Sequence, residues 1–547
     1  MSEVWAALGK AKLQQLIGHE IIDRLEILLP GLRKDTDSSS LHQMDGLVAV
    51  FNAFFGGDAL RKAKFRAELF DALPPKTVSA LASAAKLDEN LPFEKKVQSL
   101  AKRGWDDPEF RVRAGEILHL APEYFPESPK IFCPEEILRP LASLYKPLKD
   151  YQFSVFSQAE SRLRNANSRF VIQMPTGSGK TRTAMELICA FLNEKPNGTV
   201  VVWLAHSEEL CQQAADSFAE VWPHVALRGL RLIRFWGPAA SLPYEFPESA
   251  FVVAGFAKLH ALIKRDTIGF RELQARVQFV IVDEAHKVTA PTYAEVTKAL
   301  RGEETRIVGL TATPGRSITN SEENAALASF FFNQLITIDS KGQSVISFLR
   351  QRGVLSHVEY EPLYTHREYS LSNHEKRHME QFFDLPPGFL STLGLDDVRN
   401  VEIVKKLESE ASKGRRILFF ACSVEHSKFI CALLKFLEVS AEHIDGTTPT
   451  EQRSAHIRKF KTGEVQVLCN FGVLSTGFDA PKTDLIFIAR PTASIVLYSQ
   501  MIGRGLRGPA IGGTEHCKIV DVIDNISGFS NEDRVYSYFD EYYDDRG

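Results

Sequence analysis

The sequence predicts an α/β protein: two tandem units, each a parallel sheet flanked by helices, preceded by an all-helical domain. Three observations carry this. Apolar, strand-like runs alternate with helix-favouring segments from about 170 to 340, and alternate again from about 411 to 527. Before residue 140 apolar residues recur at helical spacing, with no period-two stretch among them. A chain of 547 residues is also too long for one compact core. The expected organisation is a helical accessory domain at 1–140, a first α/β domain at 141–340 and a connector at 341–410. A second α/β domain follows at 411–527, then an acidic tail at 528–547.

A hydrophobic fraction of 44% describes an ordinary globular protein. No apolar run reaches transmembrane length and no basic-then-apolar signal opens the chain, so a cytoplasmic protein with no membrane partner is expected. Seven cysteines occur singly, without a Cys-x-x-Cys pair, which favours buried thiols over a structural zinc. The net charge of −4 decides nothing about nucleic acid, since a basic groove can coexist with acidic outer faces.

In the helical domain Leu13, Leu16, Ile17, Ile21, Leu25 and Leu28 form one stripe before Pro30 and Gly31. A second run centres on Leu47 and Phe51, and further helical pieces continue to about 120. Basic and acidic residues are interleaved and no catalytic constellation stands out. A docking or regulatory domain for a protein partner, folding separately from the rest, is the expectation. Residues 122–147 read as a Pro-rich connector.

Strands of the first α/β unit are expected at 170–174, 199–204, 230–235, 251–253, 277–282 and 305–310. FVIQMPTGSGKT, residues 170–181, runs from an apolar strand through a glycine loop into a helix-favouring segment. That is the context of a phosphate-binding loop. Gly177 and Gly179 allow the backbone to curl, with Thr176 and Ser178, so that successive N–H groups face one anion beside a helix N-terminus. Lys180 would reach the terminal phosphates and Thr181 would hold Mg²⁺. The strict pattern asks for glycine at 174, where this chain has Met174. VQFVIVDEAH, residues 277–286, supplies the complement: Asp283 for the metal and Glu284 for an attacking water. Together the two segments predict a site that hydrolyses ATP. Gln152, upstream of the loop, can pair with adenine; a Tyr-Gln pair on a surface turn is the plainer alternative. Ligand groups of such a sheet gather at the carboxyl ends of its strands, where Lys180, Asp283, Glu284 and the Thr311–Thr313 stretch all fall.

Strands of the second unit are expected at 416–421, 441–444, 465–469, 485–489 and 518–523. Arg504 and Arg507 are spaced as if one helical turn apart, so both guanidinium groups can face one way. Facing a nucleotide bound by the other unit, they become arginine fingers.

These residues together resemble superfamily 2 helicases, two-lobed RecA-like motors, over roughly residues 148–525. Gln152 matches the Q-motif, residues 175–181 motif I, 205–210 motif Ia and DEAH at 283–286 motif II. Thr311 to Thr313 match motif III, 419–423 motif IV, LSTGFD at 474–479 motif V and 500–507 motif VI. The form of residues 476–481, 490–491 and 498–507 looks most like the DNA-directed branch, with RadD-type repair ATPases and type III restriction motor subunits. The cysteine-rich zinc segments of those repair ATPases are missing from this sequence, and the helical domain has no recognised counterpart.

The resemblance implies two RecA-like lobes with ATP and Mg²⁺ in the cleft and a nucleic-acid strand across both. Lys180, Asp283, Glu284, Arg504 and Arg507 would be catalytic, with Thr181 and Asp283 on the metal. Gln152, residues 176–181, Gly477 and Asp479 would bind the nucleotide. His286, Thr311 and Thr313 would couple hydrolysis to movement. His206, Ser207, Lys258, Ser423 and Thr476 would touch the strand. Three activities are open: a DNA-dependent translocase or helicase in repair or phage defence, an RNA helicase, and an ATP-switched DNA clamp that recruits a partner such as a separate nuclease.

Overall fold

Runs such as VVVWLA at 200–205 are apolar at every position, as a strand covered on both faces requires. In the computed structural model all six of these side chains are buried. The structure describes residues 2–32, 41–103, 105, 107–120, 134–141, 145–237, 241–246, 248–265, 267–312, 321–382, 384–473, 482–492, 494–527 and 529. Thr313, Thr476, Gly477, Asp479 and the acidic tail beyond 529 lie outside the described residues.

The first sheet contains β1 (Glu135–Leu138), β2 (Arg169–Gln173), β3 (Val200–Ala205), β4 (Leu230–Phe235) and β5 (Ala250–Gly255), then β6 (Val277–Asp283), β7 (Arg306–Thr311) and β8 (Leu335–Ile336). Their spatial order is β1-β4-β5-β3-β6-β7-β2-β8. All pairs are parallel except β1 with β4. The second sheet contains β9 (His357–Ser370), β10 (Ile417–Phe420), β11 (Ala441–Ile444), β12 (Val467–Asn470), β13 (Leu485–Ile488) and β14 (His516–Ser527). It runs β11-β12-β10-β13-β14-β9 and is parallel throughout. The eleven strands expected from sequence are all present, within a few residues at their ends.

Three boundaries are corrected. The segment 341–410 crosses between the two units, but much of it belongs to the second lobe: β9 is the edge strand of the second sheet, and the helix Asp397–Ser412 packs on that lobe. β1 lies inside the span assigned to the helical domain, yet it pairs with β4 of the first lobe. The third correction concerns residues 1–120 themselves.

Those residues form helices as expected, among them His19–Leu32, Met44–Phe54, Ala63–Ala72 and Phe93–Lys102. Their apolar core is continuous with that of the second lobe. Trp5, Leu47, Phe51 and Phe70 belong to the same continuous apolar cluster as Phe429, Ile430 and Leu433 of the second lobe. The helix Met44–Phe54 lies on the helix Val424–Phe436, and His19–Leu32 lies on Asp397–Ser412. Polar contacts fix this seat: Arg24 donates to Asp397 at 2.5 Å and to the Leu395 carbonyl at 3.1 Å, with its guanidinium 4.4 Å from the Phe429 ring centre. Glu451 of the second lobe faces Arg61 at 3.6 Å and Arg111 at 3.7 Å. Each large apolar side chain so covered contributes about 1.5–3 kcal/mol, so the helical domain is built into the second lobe.

Six cysteines among the described residues are buried and unpaired. No helix among the described residues is long and apolar enough to cross a membrane.

Candidate active site between the lobes

The strand β2 ends at Gln173, and Met174 follows as a fully buried residue whose N–H donates to the Thr311 carbonyl at 3.1 Å. A buried residue tied to β7 needs no glycine, which explains the departure at 174. The turn comes at Gly177 and Gly179, with φ of 85° and 88°, and Gly179 caps the helix Lys180–Glu194. A Cβ at Gly179 would lie 2.1 Å from the Gln152 amide nitrogen, so both conformation and space require glycine there. Ser178 is fully buried and donates its hydroxyl to the Pro175 carbonyl at 2.7 Å; it shapes the loop from behind.

β6 delivers Asp283, and the backbone then turns into the left-handed region at Glu284, φ 54°. For a residue with a Cβ this is a costly conformation, held by its surroundings. It sets the two carboxyl groups into one cleft. Burial raises the Asp283 carboxyl; Lys180 opposes that and the Glu284 charge adds to it. Burial also works against ionisation of Glu284, but Lys180, His286 and Lys287 outweigh it and hold Glu284 as the charged partner. His286 is buried, its Nδ1 3.4 Å from Glu284.

The second lobe closes this cleft. Arg504 and Arg507 line the same cavity, of about 400 Å³, as Thr176, Lys180, Thr181 and Asp283. The reason given by sequence for their convergence is corrected: the helix Ile495–Ile502 stops before them, Arg504 lies in the following turn and Arg507 beyond it. Arg507 bridges to Leu355 as an isolated antiparallel pair. Burial lowers Arg504 to about 10, with the Glu284 charge opposing, so it remains a cation at neutral pH. Gln500 donates to Glu284 at 3.3 Å, and a Cβ at Gly503 would lie 2.3 Å from Thr176. The lobes are in contact over the phosphate loop.

Gln152 sits on the helix Asp150–Leu163, not on a surface turn; its carbonyl accepts from the Lys149 N–H at 2.9 Å and its amide donates to the Ser178 carbonyl at 3.2 Å. It lines the cavity together with Lys146, Lys149 and Arg182, which sequence reasoning did not single out. The chemistry of the donor set fits Mg²⁺: the Thr181 hydroxyl and the desolvated Asp283 carboxyl share the cavity with Lys180 and Glu284.

The other expected residues have these surroundings. Ser207 and Ser423 are the N-caps of the helices Glu208–Val225 and Val424–Phe436, accepting from Leu210 N–H at 3.3 Å and His426 N–H at 3.1 Å. Ser423 is buried. His206 is drawn inward toward Glu284 and Lys287, and burial, followed by the Lys287 charge, lowers its imidazole to about 4. Lys258 donates to the Gly237 carbonyl and lies 5.1 Å from the Phe235 ring centre. Thr311 is fully buried at the end of β7. A contact with no counterpart in the sequence reading also bridges the lobes: Arg453 meets Glu209, two residues beyond Ser207, at 3.1 Å.

Two parallel-sheet lobes that meet over a phosphate loop define a class, the two-lobed nucleotide-driven motors. Residues 145–316 match the family described as Type III restriction enzyme, res subunit, and residues 399–508 match the Helicase conserved C-terminal domain. These two matches, in this order along the chain, agree with the resemblance to superfamily 2 helicases, and helicase domains of this kind imply ATP binding. It is 25% identical over 392 residues to the Putative ATP-dependent helicase IRC3 of Saccharomyces cerevisiae, covering 69% of this chain and 51% of the yeast protein. It is 26% identical over 359 residues to a 51.5 kDa protein of a Lactococcus phage (isolate 7-9), covering 65% of each. The chain thus spans about half to two-thirds of the length of these curated relatives. Among solved structures, the ATP-dependent Type ISP restriction-modification enzyme LlaBIII bound to DNA superposes with a TM-score of 0.50 at 15% identity, covering 70% of this chain and 28% of that one. That likeness is one of fold.

Proposed function

We propose that the protein is a DNA-dependent ATPase that couples ATP hydrolysis to movement along, or remodelling of, DNA. The observation that carries this reading is the shared cavity: Lys180 and Thr181 of the first lobe face Arg504 and Arg507 of the second. Lys180 and the loop amides hold the phosphates, and Gln152 stands at the adenine side. Thr181 and Asp283 would hold Mg²⁺, which when bound neutralises charge between the terminal phosphates. Glu284 orients the attacking water and takes its proton. Arg504 and Arg507 stabilise charge on the transferring phosphoryl group, an effect of roughly 10³–10⁵ in rate for such fingers. Because these groups sit on two lobes, turnover requires closure, and closure is the movement delivered to the strand.

DNA as the strand is supported by the restriction-enzyme family that residues 145–316 match. Duties in repair or phage defence, with any nuclease on a separate protein, agree with that kinship. An RNA helicase and an ATP-switched clamp use the same ATP site. A protein partner docking on residues 1–140 would meet faces other than the one buried against the second lobe. ATPase rates measured side by side with single-stranded DNA, duplex DNA and single-stranded RNA test the proposal. Stimulation by DNA well above that by RNA is expected; equal or greater stimulation by RNA overturns the choice of DNA.

A further inference from the structure

Two neighbouring residues of the helix Asp150–Leu163 donate to one carbonyl inside the phosphate loop. The Tyr151 hydroxyl reaches the Ser178 carbonyl at 2.8 Å, and the Gln152 amide reaches the same oxygen at 3.2 Å. Tyr151 is 3% exposed, so its hydroxyl has no competing water and the ring cannot swing away. Burial, followed by the charge of Asp150, raises the phenol well above its ordinary value, which keeps it a protonated donor.

The consequence follows from the planar peptide. No cis bond occurs among the described residues, so the C=O and N–H of the Ser178–Gly179 unit point in opposite directions. Pulling the Ser178 carbonyl back toward the helix turns the Gly179 N–H forward, toward the cavity that Gly179 and Lys180 line. The loop's own bonds, Ser178 hydroxyl and N–H to the Pro175 carbonyl at 2.7 and 3.1 Å, fix the preceding turn and leave this peptide to the two outside donors.

We infer that Tyr151 is a positioning residue for ATP hydrolysis: its hydroxyl, with Gln152, fixes the Ser178–Gly179 peptide so that the Gly179 N–H faces the nucleotide phosphates. The inference rests on the reading of residues 175–181 as the phosphate cradle. It separates two roles within the Tyr-Gln pair. Both act on the loop, but Gln152 also lines the cavity where a base would be read, whereas Tyr151 acts on the loop alone and is blind to the base.

Tyr151→Phe keeps the ring and its packing and deletes one hydrogen bond, leaving the Ser178 carbonyl with its Gln152 donor. In the full chain KM for ATP and for GTP should rise together, roughly three- to tenfold, with kcat and the thermal midpoint little changed. Directly measured ADP affinity should fall by the same factor. Unchanged nucleotide affinity overturns the inference, as does a lower thermal midpoint with unchanged KM. A loss confined to ATP and sparing GTP also overturns it, because Tyr151 would then belong to base recognition. Lys180→Ala, measured in parallel, separates the two layers. If that variant binds ATP as the wild type does, the cradle reading fails and the inference with it. If it loses ATP while Tyr151→Phe does not, only the role of Tyr151 fails.

Discussion

Gln500 of the second lobe donates to Glu284 of the first at 3.3 Å, a hydrogen bond between the helix Ile495–Ile502 and a carboxylate held in left-handed backbone at the end of β6. One atom group thereby reports both lobe closure and the state of the side chain proposed to activate water. The Arg453–Glu209 ion pair at 3.1 Å and the seat of Gly503 on Thr176 mark the same closure elsewhere along the cleft.

Glu284→Gln preserves the length of the side chain and an acceptor for Gln500 while removing the proton acceptor. ATP binding should persist and turnover should fall by at least ~10²-fold, giving a long-lived complex with ATP and DNA. Nucleotide affinity and single-turnover hydrolysis, measured on the same variant, check this. Loss of nucleotide binding itself would assign Glu284 a different role.

Much of the site was legible because a phosphate loop is a local device: a strand, two glycines, a lysine and a helix start within a dozen residues. Arg504 and Arg507 were legible as a pair, although the irregular segment that presents them was not, since nothing local says that the helix stops at Ile502. The apolar stripe through Leu13, Leu25 and Leu28 declared a buried face in the helical domain, but not what covers it. Only the fold reveals that Phe429 and Ile430, more than 370 residues away, complete that core. The pairing of β9 with β14 is likewise non-local, with partners such as Val358 and Cys517 far apart in the chain. Ser207 and Ser423 match strand-contacting positions by family order, and each also begins a helix, its hydroxyl oxygen accepting a capping N–H that no family motif announces.

The shared core makes a direct statement about truncation. A chain starting at residue 141 would expose Phe429, Ile430 and Leu433, which the helical domain now covers. Such a patch marks an aggregation liability. Expression of residues 141–547 should give an insoluble or aggregated product, read by size-exclusion chromatography. A monodisperse product with undiminished ATPase activity would show that the helical domain is dispensable.

Glu410 gives the second lobe an acid-sensitive joint. Its side chain is fully buried and meets Lys413 at 3.0 Å, Lys406 at 3.1 Å, Lys518 at 3.3 Å and Arg415 at 3.0 Å. Burial opposes its charge, but hydrogen bonds from Lys413 and Lys406 and the charge of Lys518 outweigh it and hold the carboxyl at about 2. A depressed value stabilises the fold at pH above the unfolded value of about 4.3. That contribution disappears as pH falls through about 2. Glu410→Gln should therefore cost roughly 1–3 kcal/mol at neutral pH, and the gap to wild type should narrow on acidification. Denaturant melts at several pH values check it; a gap that is constant with pH would remove the charged joint.

The central claim is that the second lobe completes the chemistry of a nucleotide held by the first. The most direct measurement is single-turnover ATP hydrolysis by Arg504→Ala with saturating DNA, beside its equilibrium ATP affinity. Arg504 is placed to act on the closed, reacting state, so the rate should fall roughly 10³-fold or more with ATP affinity changed only several-fold. A normal hydrolysis rate, or a loss confined to ATP affinity, would contradict the assignment.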